Sequence, residues 1–282
     1  MLSSFLDSWS LFAPTYISGW AAAVLLASLG VPVVGRDQIF IGAAVTQAAT
    51  LGIAVALTLG ASMVSPGFAQ NPVTLSVFAV TFSIAATFMT TRHAKGGQTR
   101  EAVTGWVFLF SSAAMVLLLT NSPLNMADAQ QLLLSNMIGA RWSEAVTFTI
   151  AALAVVALAV LFSRPMSLWV MDRTMAAGVG MRVKTIELLF ALLLGAALGL
   201  SLQTAGMLYT FACLVLPGLI AKQLSRRVGP MFLIAPVVAL VASTIGFVVA
   251  NDRNIPPGPL VVLILTLLMG PGFLYKRFVK RG

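Results

Sequence analysis

The basic residues of this chain are confined to a few short gaps between long uncharged stretches. Of its 17 Lys and Arg residues, all but Arg141 and Arg253 fall in five gaps. The gaps contain Arg36; Arg92, Lys95 and Arg100; Arg164, Arg173, Arg182 and Lys184; Lys222, Arg226 and Arg227; and Lys276, Arg277, Lys280 and Arg281. Cytoplasmic loops of membrane proteins retain Lys and Arg. The pattern therefore predicts a polytopic membrane protein and assigns a side of the bilayer to each loop.

The composition supports the same class. Hydrophobic residues make up 59% of the chain and charged residues 9%, whereas a soluble domain has roughly a quarter charged residues. The net charge of +9 is dispersed over short loops, so retention on the cytoplasmic face explains it better than binding to nucleic acid. The single cysteine, Cys213, excludes a disulfide framework or a thiolate metal cluster within one chain.

The uncharged stretches set the number and place of the helices. A bilayer core needs roughly 20 apolar residues per helix. On this basis the sequence predicts nine spans, near 14–34, 39–60, 72–91, 103–120, 145–163, 183–201, 205–221, 231–250 and 258–275. The fold class is an all-α bundle of eight to nine transmembrane helices, in a single domain over 1–282. The N-terminus is expected outside and the C-terminus in the cytoplasm.

Two stretches need separate treatment. Residues 183–221 are too long for one helix, and the basic gaps on both sides require an even number of crossings. We therefore predict a tight hairpin that turns at Gln203 and Thr204, one arm of which is short or re-entrant. The long loop 121–144 contains Leu132, Leu133 and Leu134 and is expected to hold a short interfacial helix.

The chain lacks the residues that catalysis or ion coupling would need. Its only histidine, His93, lies in a basic loop, and the sequence has neither an H-E-x-x-H pattern nor a G-x-x-x-x-G-K-[ST] phosphate loop. Glu187 is the one acid inside an apolar run, close to Arg182 and Lys184, where pairing at the interface explains it. A membrane enzyme or an ion-coupled carrier is therefore a poor match. A partner is expected to supply any energy that transport requires.

Four stretches, read together and in order, carry a family resemblance. They are GAAVTQAATLG at 42–52, DRTMAAGVG at 172–180, AGMLYTFACLVLPG at 205–218 and IPPGP at 255–259. From residue 36 to the end, the chain resembles the permease subunits of the zinc/manganese/iron-type ATP-binding cassette importers. The family's corresponding patterns are G-D-x-L-x-H-A-x-L-x-G, D-x-E-x-A-x-x-x-G, V-G-x-L-L-x-x-A-L-L-I-L-P-A and L-P-x-G-P.

The resemblance implies a complete transport assembly in a bacterial inner membrane. It implies a type-II-importer-like permease that works with a second copy or a related permease, two cytoplasmic ATPase subunits and an extracytoplasmic substrate-binding protein. ATP and Mg²⁺ would be bound by the ATPase, and no cofactor by this chain. Residues 172–180 would form the coupling helix that docks on the ATPase. The positions carried over are Asp172, Arg173, Thr174, Ala176 and Gly180.

One departure from the family lies on the second span. Where the family has Asp and His, this chain has Ala43 and Gln47. On a helix Ala43, Gln47 and Thr50 share one face, which we take as a candidate substrate pathway without assigning a metal ligand to it. For Gln47, a hydrogen bond to a neighbouring helix is an equally open interpretation. In the coupling segment, Thr174 stands where the family has Glu.

The leading hypothesis is a permease subunit that imports a transition-metal ion (zinc, manganese or iron) or a metal complex. The metal would be selected by the binding protein or by the sister subunit, unless the substrate itself has changed. The alternative is a secondary carrier or facilitator of a small solute that needs no ATPase. Two minor expectations accompany these. The small residues at Gly195 and Gly199 are expected to pack within the chain, and Met63, Met115 and Met171 to fill apolar space.

Overall fold

A computed structural model describes residues 8–62, 71–91, 99–120, 139–225 and 227–279 of the chain. Within these residues every regular element is a helix, which confirms the predicted all-α fold. The ten helices are α1 (Trp9–Gly35), α2 (Phe40–Ser62), α3 (Pro72–Thr91), α4 (Arg100–Thr120), α5 (Trp142–Leu161), α6 (Ser163–Met171), α7 (Arg173–Gly178), α8 (Val183–Leu224), α9 (Val228–Arg253) and α10 (Pro257–Val279). His93, Met63 and the leucines of the expected interfacial helix lie outside the described residues.

The helix lengths fit a membrane protein. Seven of the described helices are long and apolar enough to cross a bilayer. One of these, α8, has 42 residues, twice the roughly 20 that one crossing needs. A shorter apolar segment, Pro257–Gly270, opens α10. The count of nine crossings stays a prediction, because it depends on α8 crossing twice and on α10 crossing once.

The break in α8 is not where the sequence placed it. Gln203 and Thr204 continue the helix, and the non-helical residue is Gly206, with φ 78° and ψ 164°. Gln203 and Thr204 are two adjacent polar residues in a largely apolar stretch, but polarity does not fix the backbone conformation. Backbone sterics decide instead: a positive φ costs glycine almost nothing and costs other residues about 1–2 kcal/mol. Glycine is therefore the residue that the break requires.

The described chain forms two compact units, each with one central helix. Unit 1 consists of Met1–Asp37, Asn136–Met181 and Leu208–Gly282, and unit 2 of Gln38–Ser135 and Arg182–Met207. In unit 1, α1 is buried on nearly all sides and packs against α5 and α9. In unit 2, α2 is similarly buried and packs against α3 and α4. Since α8 contributes 183–207 to unit 2 and 208–224 to unit 1, these two parts are called its first and second arms.

Glycines allow the first arm of α8 to approach α3 closely within unit 2. A Cβ on Gly195 would lie 2.7 Å from Ile84 Cα, and one on Gly199 would lie 2.7 Å from Val80 Cα. The Ser83 hydroxyl donates a hydrogen bond of 2.5 Å to the Gly195 carbonyl. The expectation that these small residues pack within the chain is confirmed. Higher α8 numbers meet lower α3 numbers, so the two segments run antiparallel.

The second arm of α8 runs parallel to α1 within unit 1. The Tyr209 hydroxyl donates to the Gly19 carbonyl (2.9 Å) near the start of the contact, and a Cβ on Gly30 would overlap the Leu214 carbonyl oxygen further along. The directions found for the two arms, antiparallel to α3 and parallel to α1, are the ones that the predicted topology assigns. They hold for each unit separately.

The last predicted motif, 255–259, forms the joint between α9 and α10. Asn254 adopts a left-handed conformation (φ 53°) at the end of α9, and the Ile255 amide donates to the Ala250 carbonyl. Pro257 is the first residue of α10, a position where its missing N–H costs no hydrogen bond. The motif therefore ends one helix and starts the next.

Candidate substrate pathway and coupling segment

The pathway face predicted on the second span is part of α2 in unit 2. Ala43 is 8% exposed, Thr50 is 3% exposed and Gln47 is half-buried between them. The Thr50 hydroxyl lies 2.6 Å from the Gln47 carbonyl and 3.1 Å from the side-chain oxygen Oε1. The structure thus brings Gln47 and Thr50 into contact, while Ala43 lies one turn earlier and contributes only a methyl group.

The other end of the Gln47 amide contacts a residue that sequence reasoning missed. Gln47 Nε2 donates to the Met207 sulfur at 3.5 Å. Met207 directly follows the Gly206 break in α8, within the third family-like stretch. The signal in the sequence was this position beside a helix-breaking glycine, since methionine itself is common as apolar filling. Met115, by contrast, packs against the apolar core of unit 2, as expected, whereas Met171 is 74% exposed and does not fill apolar space within the chain.

The chemistry of this face is neutral. Both polar atoms of the Gln47 side chain are engaged within unit 2. Among the described residues, no group of three or more His, Cys, Asp or Glu side chains is placed to hold a metal ion. A carboxamide, a hydroxyl and a thioether carry no charge to attract a divalent cation, and only the thioether is a soft ligand. The face can hydrogen-bond a polar solute but offers no charged ligand set.

The coupling segment is a short helix with both ends capped. The Asp172 carboxylate accepts hydrogen bonds from the Thr174 amide (2.8 Å) and the Met175 amide (3.0 Å) at the N-terminus of α7. At the other end Gly180 has φ 87°, its amide donates to Ala177, and the Met181 amide donates to Ala176. This pair of bonds is the Schellman arrangement, which satisfies carbonyls that a helix end would leave open. The caps keep a six-residue helix ordered.

The side chains of α7 divide into one anchor and an exposed surface. Ala176 is fully buried, so it fixes α7 by packing within the chain and offers no surface for contact. Thr174, Met175 and Val179 are exposed, Met175 by 59% and Val179 by 70%. Arg173 is half-buried. Of the predicted coupling residues, Asp172, Ala176 and Gly180 therefore shape the helix, and Thr174 lies on its exposed surface.

These observations define a class: a polytopic membrane protein whose described residues contain no group of three or more His, Cys, Asp or Glu placed to hold a metal ion, and which has a short capped helix between α6 and α8. The sequence profile of the ABC 3 transport family matches residues 9–276, and the chain belongs to this family. It is thus a permease subunit of an ATP-binding cassette importer, not an ATPase-independent carrier.

One curated relative matches almost the whole chain and another about three fifths of it. The manganese transport system membrane protein MntC of Listeria monocytogenes is 24% identical over 271 residues, which are 96% of this chain and 92% of the relative. The chelated iron transport system membrane protein YfeC of Yersinia pestis is 24% identical over 175 residues, 62% of this chain and 59% of the relative. A solved structure, PsaBC from Streptococcus pneumoniae in complex with Fab, shares the fold with a TM-score of 0.78 at 18% identity. It covers 97% of this chain and 95% of that one.

Proposed function

We propose that this chain forms the membrane pathway for a transition-metal ion or metal complex of the manganese or iron kind. It would lie in a bacterial inner membrane with nine crossings, the N-terminus outside and the C-terminus in the cytoplasm. A second permease, a cytoplasmic ATPase dimer that binds ATP and Mg²⁺, and an extracytoplasmic binding protein would complete the assembly. The names of the relatives support the metal cargo, and the distribution of basic residues supports the orientation.

The observation that carries the proposal is the geometry of α7. An isolated helix of six residues is unstable in water, yet here it is capped at both ends, and Met175 within it and the C-cap residue Val179 are exposed. Exposed apolar side chains on a rigid element beside basic loops are suited to docking on a soluble partner. We place the ATPase contact on this surface, in the segment that the family resemblance assigns to coupling.

The side chains of the pathway face indicate how far this chain alone could select a metal ion. A neutral amide and a thioether are weak ligands for hard Mn²⁺, which prefers carboxylate and water oxygens. The Gln47 face alone is therefore a poor selector of bare divalent ions. Selection by the binding protein, ligands from the second permease, or transport of a metal complex would each supply what this face lacks.

The proposal is tested by asking whether the ATPase docks on α7. Met175→Glu places a charge in the middle of the exposed apolar surface, and we expect it to weaken retention of the ATPase by about tenfold or more. The measurement is the amount of ATPase that copurifies with the tagged chain, together with uptake of radioactive manganese in cells without other manganese importers.

Leu224→Glu provides the matched control. Leu224 is 68% exposed, is expected on the same side of the membrane and lies outside α7. It should retain the ATPase at the wild-type level. Equal retention in the Met175→Glu variant and the control, or uptake that persists without any ATPase, would contradict the proposal.

A further inference from the structure

The C-terminal end of α1 contacts α6, the helix that precedes α7, through a close fit. A Cβ on Gly35 would lie 2.5 Å from the Val170 Cγ1 atom, and the next nearest atom, Val170 Cβ, would be 3.9 Å away. Val170 is 5% exposed. The absence of a side chain at residue 35 therefore allows α6 to rest directly on the end of α1.

A charged group next to Gly35 adds a second contact between α1 and α6. The guanidinium carbon of Arg36 lies 4.6 Å from the centre of the Trp169 ring, within the range of a cation–π interaction. Trp169 is among the largest fully buried side chains of the described chain, at 1% exposure. A buried indole is a rigid support, so a displacement of α6 would be passed to Arg36.

The same end of α1 also contacts the second arm of α8. Lys222 Nζ donates to the Asp37 carboxylate (2.6 Å) and to the Val34 carbonyl (3.3 Å). A lysine at a helix C-terminus also interacts favourably with the helix dipole. One turn earlier on α8, a Cβ on Gly218 would lie 3.0 Å from Val34 Cγ2. The second arm is therefore packed and charge-paired to residues 34–37, which we call the α1 junction.

We infer that the α1 junction transmits motion between the coupling segment and the second arm of α8, with Gly35, Arg36 and Lys222 as positioning residues. This inference rests on the proposed function. Only Asp172 separates α6 from α7, so a partner that moves α7 also moves α6. Close-packed interiors transmit displacements with little compression. The second arm begins just after the Gly206 break, where a rotation requires the least rearrangement of the backbone.

The experiment uses a size exchange at the contact. Gly35→Ala adds a methyl group that would clash with Val170 Cγ1. Val170→Ala removes Cγ1, and the new methyl group then meets only Val170 Cβ, at an ordinary van der Waals distance. Gly105→Ala is the matched control, because a Cβ on this helical glycine would meet no atom within 4 Å. The complete complex with its ATPase is purified in a background in which Cys213→Ala removes the native thiol. Leu208→Cys, at the start of the second arm and 55% exposed, then carries an environment-sensitive bimane label.

The measured quantities are the bimane emission change between nucleotide-free and vanadate-trapped complex, and the rate of ATP hydrolysis. Gly35→Ala is expected to reduce the emission change by about threefold or more while hydrolysis continues. The combination of Gly35→Ala with Val170→Ala should restore it, and Gly105→Ala should keep it. If Gly35→Ala yields no intact complex, the same test is made by comparing Arg36→Met with Arg36→Lys. The emission change is expected to be lost only in the Arg36→Met variant.

The outcomes separate the inference from the proposed function. A full emission change in both the Gly35→Ala and Arg36→Met variants overturns the inference alone, as does a wild-type complex that hydrolyses ATP without any emission change. A chain that binds no ATPase overturns the proposed function and the inference with it. The inference is supported if the emission change is lost in Gly35→Ala and recovers in the double variant while ATP hydrolysis stays steady. A general folding defect would not recover in this pattern.

Discussion

The pathway face and the coupling segment have departed from their family's pattern in different ways. On α2 the expected acid and imidazole are replaced by Ala43 and Gln47, and the polar atoms that remain are bonded within unit 2. On α7 the changed residue, Thr174, is exposed, while Asp172 and Gly180 still make both caps. The comparison indicates that the caps of the predicted coupling segment are kept, while the face predicted for the cargo presents only neutral side chains.

The largest effect is expected from breaking the coupling segment. Gly180→Val forces a branched residue into φ 87°, at a cost of about 1–2 kcal/mol or more. Because nothing lies within 4 Å of a Cβ at Gly180, the penalty comes from the backbone and not from a clash. An energy of this size reduces the ratio of capped to uncapped α7 by about fivefold to thirtyfold, and manganese uptake should fall as the uncapped form becomes populated.

A second glycine, at the end of α7, provides the control for this variant. Gly178, like Gly180, has no atom within 4 Å of an added Cβ, but its φ is not positive. Gly178→Ala should therefore leave uptake unchanged. The two variants are compared at equal amounts of folded protein, measured by gel filtration in detergent. If Gly180→Val transports as well as Gly178→Ala, the Schellman cap has no role in coupling.

An intermediate effect is expected from giving the pathway face the ligands that it lacks. Ala43→Asp combined with Gln47→His restores a carboxylate and an imidazole four residues apart on one face of α2. Purified chain carrying both changes should bind Mn²⁺ or Zn²⁺ at least about tenfold more tightly than wild type, or about 1.4 kcal/mol. Equilibrium metal binding in detergent is the measurement. The single Gln47→His variant is the control and should gain less.

If the double variant binds metal no more tightly than wild type, the comparison between the pathway face and the coupling segment is contradicted. It would mean that this face of α2 is closed to the cargo, whatever its residues. Tighter binding with slower uptake, on the other hand, would sharpen the comparison. It would show that the face is accessible and that a neutral surface lets the cargo leave more easily.

Charge and hydropathy predicted much of this fold, and backbone detail explains the rest. The helix ranges follow from the length that a bilayer imposes on apolar segments. The turn in α8 was misplaced because side-chain polarity at Gln203 and Thr204 says nothing about φ, while Gly206 can adopt the required conformation. The exact contacts of Gly35 and Gly195 could not be read from the sequence either, since both depend on which helix packs opposite.

The candidate site shows the same division. The shared face of Gln47 and Thr50 follows from helical periodicity alone, and their contact is observed. Met207 was missed because it lies 160 residues away in sequence, and no periodicity within α2 points to it. Ala176 was predicted as a coupling residue, but it is buried, and the burial of a single small residue depends on tertiary packing. Local patterns predict which residues share a face, whereas tertiary packing decides what that face meets.

The smallest effect is expected from the amide–thioether contact on the pathway face. Gln47→Leu keeps the volume of the side chain but removes the donor to Met207 and the acceptor for Thr50, and a neutral hydrogen bond of this kind contributes about 0.5–1.5 kcal/mol. If Gln47 meets the cargo, uptake should fall several-fold while folded protein remains in the membrane. Thr46→Val is the control, because Thr46 is buried on the same helix and bonds only carbonyls of its own turn. Equal uptake in the two variants would leave Gln47 as a packing residue, and the neutral face would then describe the interior of unit 2 instead of the route of the cargo.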